Sequence, residues 1–372
     1  MDTLSDILRK QANRFGGQLA HLAFERGLAV TNKDGTTRAI PVTATPVIRD
    51  AQELKRRAAL SAHLASATFK ISRSVLAGPA KELLLGALSP LERKMAEATY
   101  ARITQLVTTR VDYFEHDNRP FALEVNATIP AMQGYSDIAA HTFLEVVGRH
   151  AGMTDQKIAS LQARNGSNAL ALYRALLDGY AKERNGKQPK RIALLCRRND
   201  AQITEQRYLA ARISELGTEA EVVHPDELSG DKPVLAKGKP VDLIYRHLFV
   251  RRLEETPSPF VTELLQQVPS QRVVVLNGPA SQVEVKTSFA LLSQAADEAD
   301  LARAAQLTEE ELVAVKAAVP WTRPFRRSPT KDPDGKAVDD LVERVAAEPE
   351  RFVLKRAWDY GVSSVLMCVV LF

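Results

Sequence analysis

Between Arg191 and Leu276, short apolar runs alternate with a helical stretch, and this alternation constrains the fold more than any other feature of the chain. Arg191 to Cys196 is a run of strand length. Ile203 to Leu216 carries apolar residues at three- and four-residue spacing and is closed by Gly217, a residue suited to stopping a helix. Glu219 to Val223, Val241 to Tyr245 and Gln271 to Leu276 read as three more strands, the last running into Asn277-Gly278-Pro279. Strand–helix–strand order at this spacing predicts a parallel sheet. The Gly-, Lys- and Pro-rich stretch from Ser229 to Pro240 reads as a surface loop.

Helical patterns flank this segment. Residues 1 to about 108 read as largely helical, with a strand near Leu19 to Val30. Apolar residues recur at helical spacing over Leu54 to Ala67 and Leu91 to Val107. Residues 136–184 read as helix broken near Asn165-Gly166-Ser167, and Val283 to Ala296 and Thr308 to Val319 as two more helices. Thr308 with Glu311 predicts a capping box. Pro320 to Lys336 reads as a basic connection, and Arg351 to Lys355 as a last clear strand.

At 372 residues the chain exceeds one ordinary core, which predicts two or three domains. No apolar run reaches the roughly 20 residues of a membrane-spanning helix, so no membrane partner is expected. Met1 to Gly16 lacks the apolar core of a signal peptide. Cys196 and Cys368 cannot build a disulfide scaffold, and a reducing, cytoplasmic location is expected. The net charge of +5 is spread over interspersed residues with no Lys/Arg block, so no nucleic-acid partner is expected.

The chemistry centres on a predicted hairpin. Val111 to Phe114 and Phe121 to Val125 are β-rich and flank the turn-forming residues 116–120. Side chains alternate along a strand, so Glu124 and Asn126 share a face, and closing the hairpin near Asn118 brings Asp112 opposite or one step from Glu124. Two facing carboxylates repel, and a positive partner should compensate. Two carboxylates and an amide oxygen suit Mg²⁺, which takes a few protein oxygens and completes its shell with phosphate and water. The same alternation also describes a solvated face of an exposed hairpin.

Arg110-Val111-Asp112, followed after a twelve-residue interval by Glu124-Val125-Asn126-Ala127-Thr128-Ile129-Pro130, resembles the metal-binding segment of the glutathionylspermidine synthase family and related circularly permuted ATP-grasp proteins. The resemblance covers roughly residues 100–361. It implies that Asp112, Glu124 and Asn126 are Mg²⁺ ligands and that Arg110 contacts phosphate in catalysis. The implied fold is α/β (α+β): a circularly permuted ATP-grasp with a parallel-sheet pre-ATP-grasp-like domain and a truncated small lobe. Its parts would be a helical N-terminal region with the metal-binding lobe (1–165), an α/β substrate domain (166–280) and the small lobe (281–372).

The resemblance also places two lysines on ATP phosphates: Lys286, after Asn277-Gly278-Pro279, and Lys355, in Phe352-Val353-Leu354-Lys355. The implied activity is an ATP- and Mg²⁺-dependent carboxylate–amine ligase that joins two small-molecule substrates through an acyl phosphate. After Trp358-Asp359-Tyr360-Gly361 the family pattern would continue with a second glycine, whereas residues 362–372 are nearly all apolar. The expectation is an incomplete small lobe with weak nucleotide binding and no turnover, and the alternative is a non-catalytic remnant or binding module.

Other positions are less specific. Arg246 and His247 end the third strand, and Arg197 and Arg198 follow the first, where open α/β sheets bind ligands; a surface charge is an equal reading for each. Gln133-Gly134-Tyr135 reads as a turn or as part of a substrate channel. The seven histidines show no metal-ligand spacing, and Cys196 reads as a buried strand residue.

Overall fold

The computed structural model describes residues 4–103, 107–358 and 365–367. They fall into two compact units that the chain enters more than once. One comprises Met1–Leu54, Ile129–Phe249 and Thr256–Gly278; the other comprises Lys55–Thr128, Val250–Glu255 and Pro279–Phe372.

The first unit is built on the expected parallel sheet. Its four strands lie in the order Val274–Leu276, Leu243–His247, Arg191–Cys196, Glu219–Val223, all parallel. Every residue of Arg191–Cys196 is buried, as expected of a strand covered on both faces. From this strand the chain passes through the helix Ile203–Glu215 to one neighbour and later returns to the other side, so the order reverses beside Arg191–Cys196.

The stretch read as a surface loop is instead a three-stranded antiparallel meander, Leu228–Gly230, Val234–Ala236 and Lys239–Pro240. Val234 and Ala236 are completely buried. Its Gly and Lys punctuation marks the turns: Gly230 has φ +79°, and a Cβ there would lie 2.7 Å from the Pro233 carbonyl oxygen. Strands of two or three residues leave too little alternation to register as a pattern.

The strand expected near Leu19 to Val30 is mostly helix. Leu4–Glu25 is helical because Phe15, Leu19 and Ala23 recur every fourth residue and are buried. Extended backbone begins at Ala29–Thr31, which pairs with Thr37–Ala39. The long helical region resolves into Gln133–His150, Asp155–Asn165 and Asn168–Glu183, with Thr154 and Ser167 as side-chain caps of the second and third. Gln133-Gly134-Tyr135 opens the first of these helices, and a Cβ on Gly134 would lie 2.9 Å from the Tyr208 ring.

In the second unit the helices Ala51–Ala77, Lys286–Ala295 and Glu309–Ala318 pack with one face of the hairpin Arg110–His116/Arg119–Asn126. The capping box at Thr308 and Glu311 is present. Glu311 also accepts from Ser66 Oγ at 2.6 Å and Lys70 Nζ at 2.9 Å, which ties its helix to Ala51–Ala77. The helix expected over Val283 to Ala296 is two, Ser281–Glu284 and Lys286–Ala295, split by the extended ψ of Val285. The connection 320–336 contains Thr330–Lys331, paired with Ala337–Val338. Val353–Lys355 pairs antiparallel with Val365–Met367. Gly361 and the rest of the apolar ending lie outside the described residues.

Among the described residues no helix is long and apolar enough to cross a membrane. Cys196 is fully buried, and burial pushes its thiol up to about 12. A neutral, enclosed thiol is a poor nucleophile. Iodoacetamide should therefore leave the Cys196 peptide unmodified in the native chain and label it only across the urea unfolding transition, as read by peptide mass mapping. Native-state labelling would contradict this burial.

Candidate functional site

The hairpin register puts Arg110 directly across from Asn126, and Asp112 directly across from Glu124. Opposed residues share a face, and so do residues two apart, so all four side chains stand on one face. The other face carries Val111, Val125, Tyr113 and Ala122, which pack into the unit's core. The Tyr113 hydroxyl also sits 2.9 Å from Ser61 Oγ. A bulge follows the carboxylate pair: Tyr113 faces Ala122, which leaves Leu123 as the extra, exposed residue. The tight turn at the far end places Asp117 and Asn118 in the left-handed region, at φ 49° and 59°.

The compensation that facing carboxylates require comes from the protein. Arg110 forks onto Asp112, with Nε to Oδ1 at 2.7 Å and Nη2 to Oδ2 at 3.1 Å. Burial works against the Arg110 charge, but Asp112, with Glu124 and Glu284 nearby, outweighs it and raises the guanidinium pKa. Lys286 Nζ bonds Glu124 Oε2, and the two side chains are only 21% and 28% exposed. Asn126 bridges the cluster. With its amide turned to satisfy both ends, its oxygen accepts from Arg110 at 3.2 Å and its nitrogen donates to Glu284 at 3.3 Å.

Beneath the end of the hairpin strand sits Glu284, which is almost fully buried. Its Oε2 accepts the backbone N–H of Thr128 at 2.7 Å and of Ala127 at 3.3 Å. Burial pushes this carboxyl up, against the pull of those bonds and of Lys286. Lys355 completes the cluster electrostatically: partial enclosure lowers its pKa, Lys286 lowers it further, and Glu124 opposes both. The Lys286 backbone N–H donates to the Ala357 carbonyl at 2.7 Å, so the segment after Lys355 is fastened to the start of the Lys286 helix.

Arg110, Asp112, Glu124, Asn126 and Lys286 are thus in mutual contact, with Lys355 coupled to them by charge. Among the described residues no group of three or more His, Cys, Asp and Glu side chains forms a metal cluster. The donor set here is two carboxylates and an amide oxygen. Hard oxygens of this kind on one strand face fit Mg²⁺. Glu284 was missed in the sequence, where nothing distinguishes a buried acid from an exposed one.

The sites considered in the first unit take other roles. Arg246 is completely buried and donates to the backbone carbonyls of Asn277 at 2.5 Å, Gly278 at 3.0 Å and Leu248, so it is no surface charge. His247 is buried, with Gln206 at 3.1 Å and Asp200 at 3.7 Å. Arg197 pairs with Asp200 at 3.1 Å. Arg198 pairs with Asp226 at 2.7 Å and borders a cavity of about 240 Å³ with Arg207, His224, Thr31 and Thr37.

No family model matches the chain, and no curated protein matches it in sequence. Among solved structures, it is similar to a glutathione synthetase-like effector from Globodera pallida in its apo form. The TM-score is 0.54 at 12% identity, over 93% of this chain and 79% of the other. The likeness is one of fold: a mixed α/β chain with a parallel sheet and separate antiparallel sheets, like that glutathione synthetase-like protein.

The raised Glu284 carboxyl has a definite sign. The native state holds this proton at pH values where the unfolded chain, near the ordinary 4.5, has released it. Stability is therefore lost as pH rises from about 4.5 through the folded-state value. Glu284→Gln should remove that loss, so its melting temperature should gain on wild type as pH rises from 4 to 7. Parallel profiles for the two proteins would contradict the assignment.

Proposed function

We propose that the chain is an ATP- and Mg²⁺-dependent carboxylate–amine ligase of the circularly permuted ATP-grasp type, resembling the glutathionylspermidine synthase family. The observation that carries this reading is the hairpin face itself. Asp112 and Glu124 stand directly opposed, Asn126 shares their face, and Arg110 and Lys286 already hold the carboxylates. The fold-level likeness to a glutathione synthetase-like protein supports it, as does chain order, since the metal-binding hairpin precedes the parallel sheet and the lysine-bearing segments come last.

In this reading Asp112, Glu124 and Asn126 hold Mg²⁺, whose charge offsets that of the β- and γ-phosphates. Lys286 and Lys355 grip phosphate oxygens as compact point charges. Arg110, held in plane by its fork to Asp112, contacts the transferring phosphoryl group in this reading. The depressed pKa of Lys355 reflects its partial burial first and the nearby Lys286 ammonium second, and a polyphosphate would relieve the crowding of the two ammonium groups. The protein's part is positioning and charge stabilisation, which dominate phosphoryl transfer. The substrates are a small-molecule carboxylate, which accepts the phosphoryl group, and an amine, which then displaces phosphate.

A ligand that binds only the folded state stabilises it by about 2.7 kcal/mol at one hundred times its Kd. ATP with Mg²⁺ should raise the melting temperature more than ATP or Mg²⁺ alone. The increment should vanish in Glu124→Gln and in Lys286→Met. No shift in wild type, or an equal shift in both variants, would overturn the reading.

A further inference from the structure

The helix Pro90–Thr99 supplies a carboxylate that connects both lysine-bearing segments. Glu92 is 1% exposed. Its Oε1 accepts from Ser281 Oγ at 3.1 Å, at the start of the short helix that leads to Glu284 and Lys286. Its Oε2 accepts from Trp358 Nε1 at 2.9 Å, three residues after Lys355, and from the Ser89 backbone N–H at 3.1 Å. The two tethered segments also meet directly through the Lys286 N–H and the Ala357 carbonyl. One buried carboxylate thus accepts three donors from three separate stretches of chain, and two of those stretches carry the lysines.

We infer that Glu92 is a positioning residue that sets the spacing of Lys286 and Lys355 and so governs how tightly the site grips a polyphosphate. The polyphosphate part of this inference rests on the ligase reading; the tethering does not. The chemistry gives the side chain little latitude. A carboxylate has two acceptor oxygens, and both are used. A glutamine at this position loses the charge and one acceptor, can hold Ser281 only by donating to its hydroxyl, and so weakens both charge-assisted ties. An aspartate is one methylene short of reaching both. The inference also gives the helical region before the hairpin a task in the site, in addition to its share of the core.

Trp321 and Trp358 are the only tryptophans of the chain. In a Trp321→Phe background, Trp358 emission reports directly on its tie to Glu92, and Mg²⁺–tripolyphosphate titration reports on the lysines. Glu92→Gln should shift the emission to longer wavelength and weaken tripolyphosphate binding about tenfold. Trp358→Phe and Ser281→Ala, each removing one tie from an otherwise intact fold, should each lose part of that affinity. In a Lys355→Ala background the Glu92→Gln effect should shrink, because Glu92 acts through the lysines. Unchanged emission in Glu92→Gln would overturn the inference, and so would wild-type affinity in both Glu92→Gln and Trp358→Phe. A wild-type chain that binds no tripolyphosphate would instead sink the ligase reading, and the emission would still decide whether Glu92 holds the segment.

Discussion

Two carboxylates facing each other across one hairpin, Asp112 and Glu124, set the terms for the rest of the second unit. Like charges at directly opposed positions destabilise a strand pair, so this hairpin cannot be explained by its own pairing. Arg110 answers Asp112 from two residues away on the same strand, and Lys286 answers Glu124 from a distant helix. The first pair is about one-third exposed, at 34% and 35%, and pairs at the surface contribute about 0–1 kcal/mol. The second is more enclosed, and it fixes where the Lys286 helix must begin. The charge pattern of the hairpin thereby dictates the placement of chain more than 150 residues downstream.

Buried carboxylates secure that placement. Glu284 gathers two backbone N–H groups and the Asn126 amide, and Glu92 gathers Ser281, Trp358 and its own helix cap. Hydrogen bonds to charged groups are worth about 1.5–3 kcal/mol each, while a buried charge that loses its donors costs several kcal/mol. Such networks are therefore nearly all-or-none, and they hold the hairpin side chains and lysines in one arrangement. The half-exposed groups that would touch a ligand stand on fully buried groups that cannot.

Much of this was legible in the sequence. The parallel sheet could be read from apolar runs of strand length separated by an amphipathic helix, because strands buried on both faces leave an unbroken apolar signature. The hairpin could be read from its turn residues, and the shared face of Asp112, Glu124 and Asn126 follows from two-residue periodicity once the register is fixed. The meander 228–240 was not legible, because its strands are too short to show alternation among Gly, Lys and Pro. The helix over Leu19 was misread because its apolar residues also suit a strand locally, and only the spacing from Phe15 to Ala23 separates the two. Arg246 looked like a ligand group at a strand end, whereas it binds backbone carbonyls of its own unit. Glu92 and Glu284 were invisible because a buried acid and an exposed one are the same letter until tertiary partners appear.

The central claim is that the hairpin face binds a divalent cation together with nucleotide, and Mn²⁺ in place of Mg²⁺ tests it most directly. Electron paramagnetic resonance of free Mn²⁺, titrated against the full chain with and without ATP and corrected by a protein-free blank at the same ATP concentration, counts the ions the chain binds without requiring the substrates. The account predicts ATP-dependent Mn²⁺ binding that is lost in both Asp112→Asn and Glu124→Gln. Mn²⁺ uptake that is absent with ATP, or that survives unchanged in both variants, would contradict it.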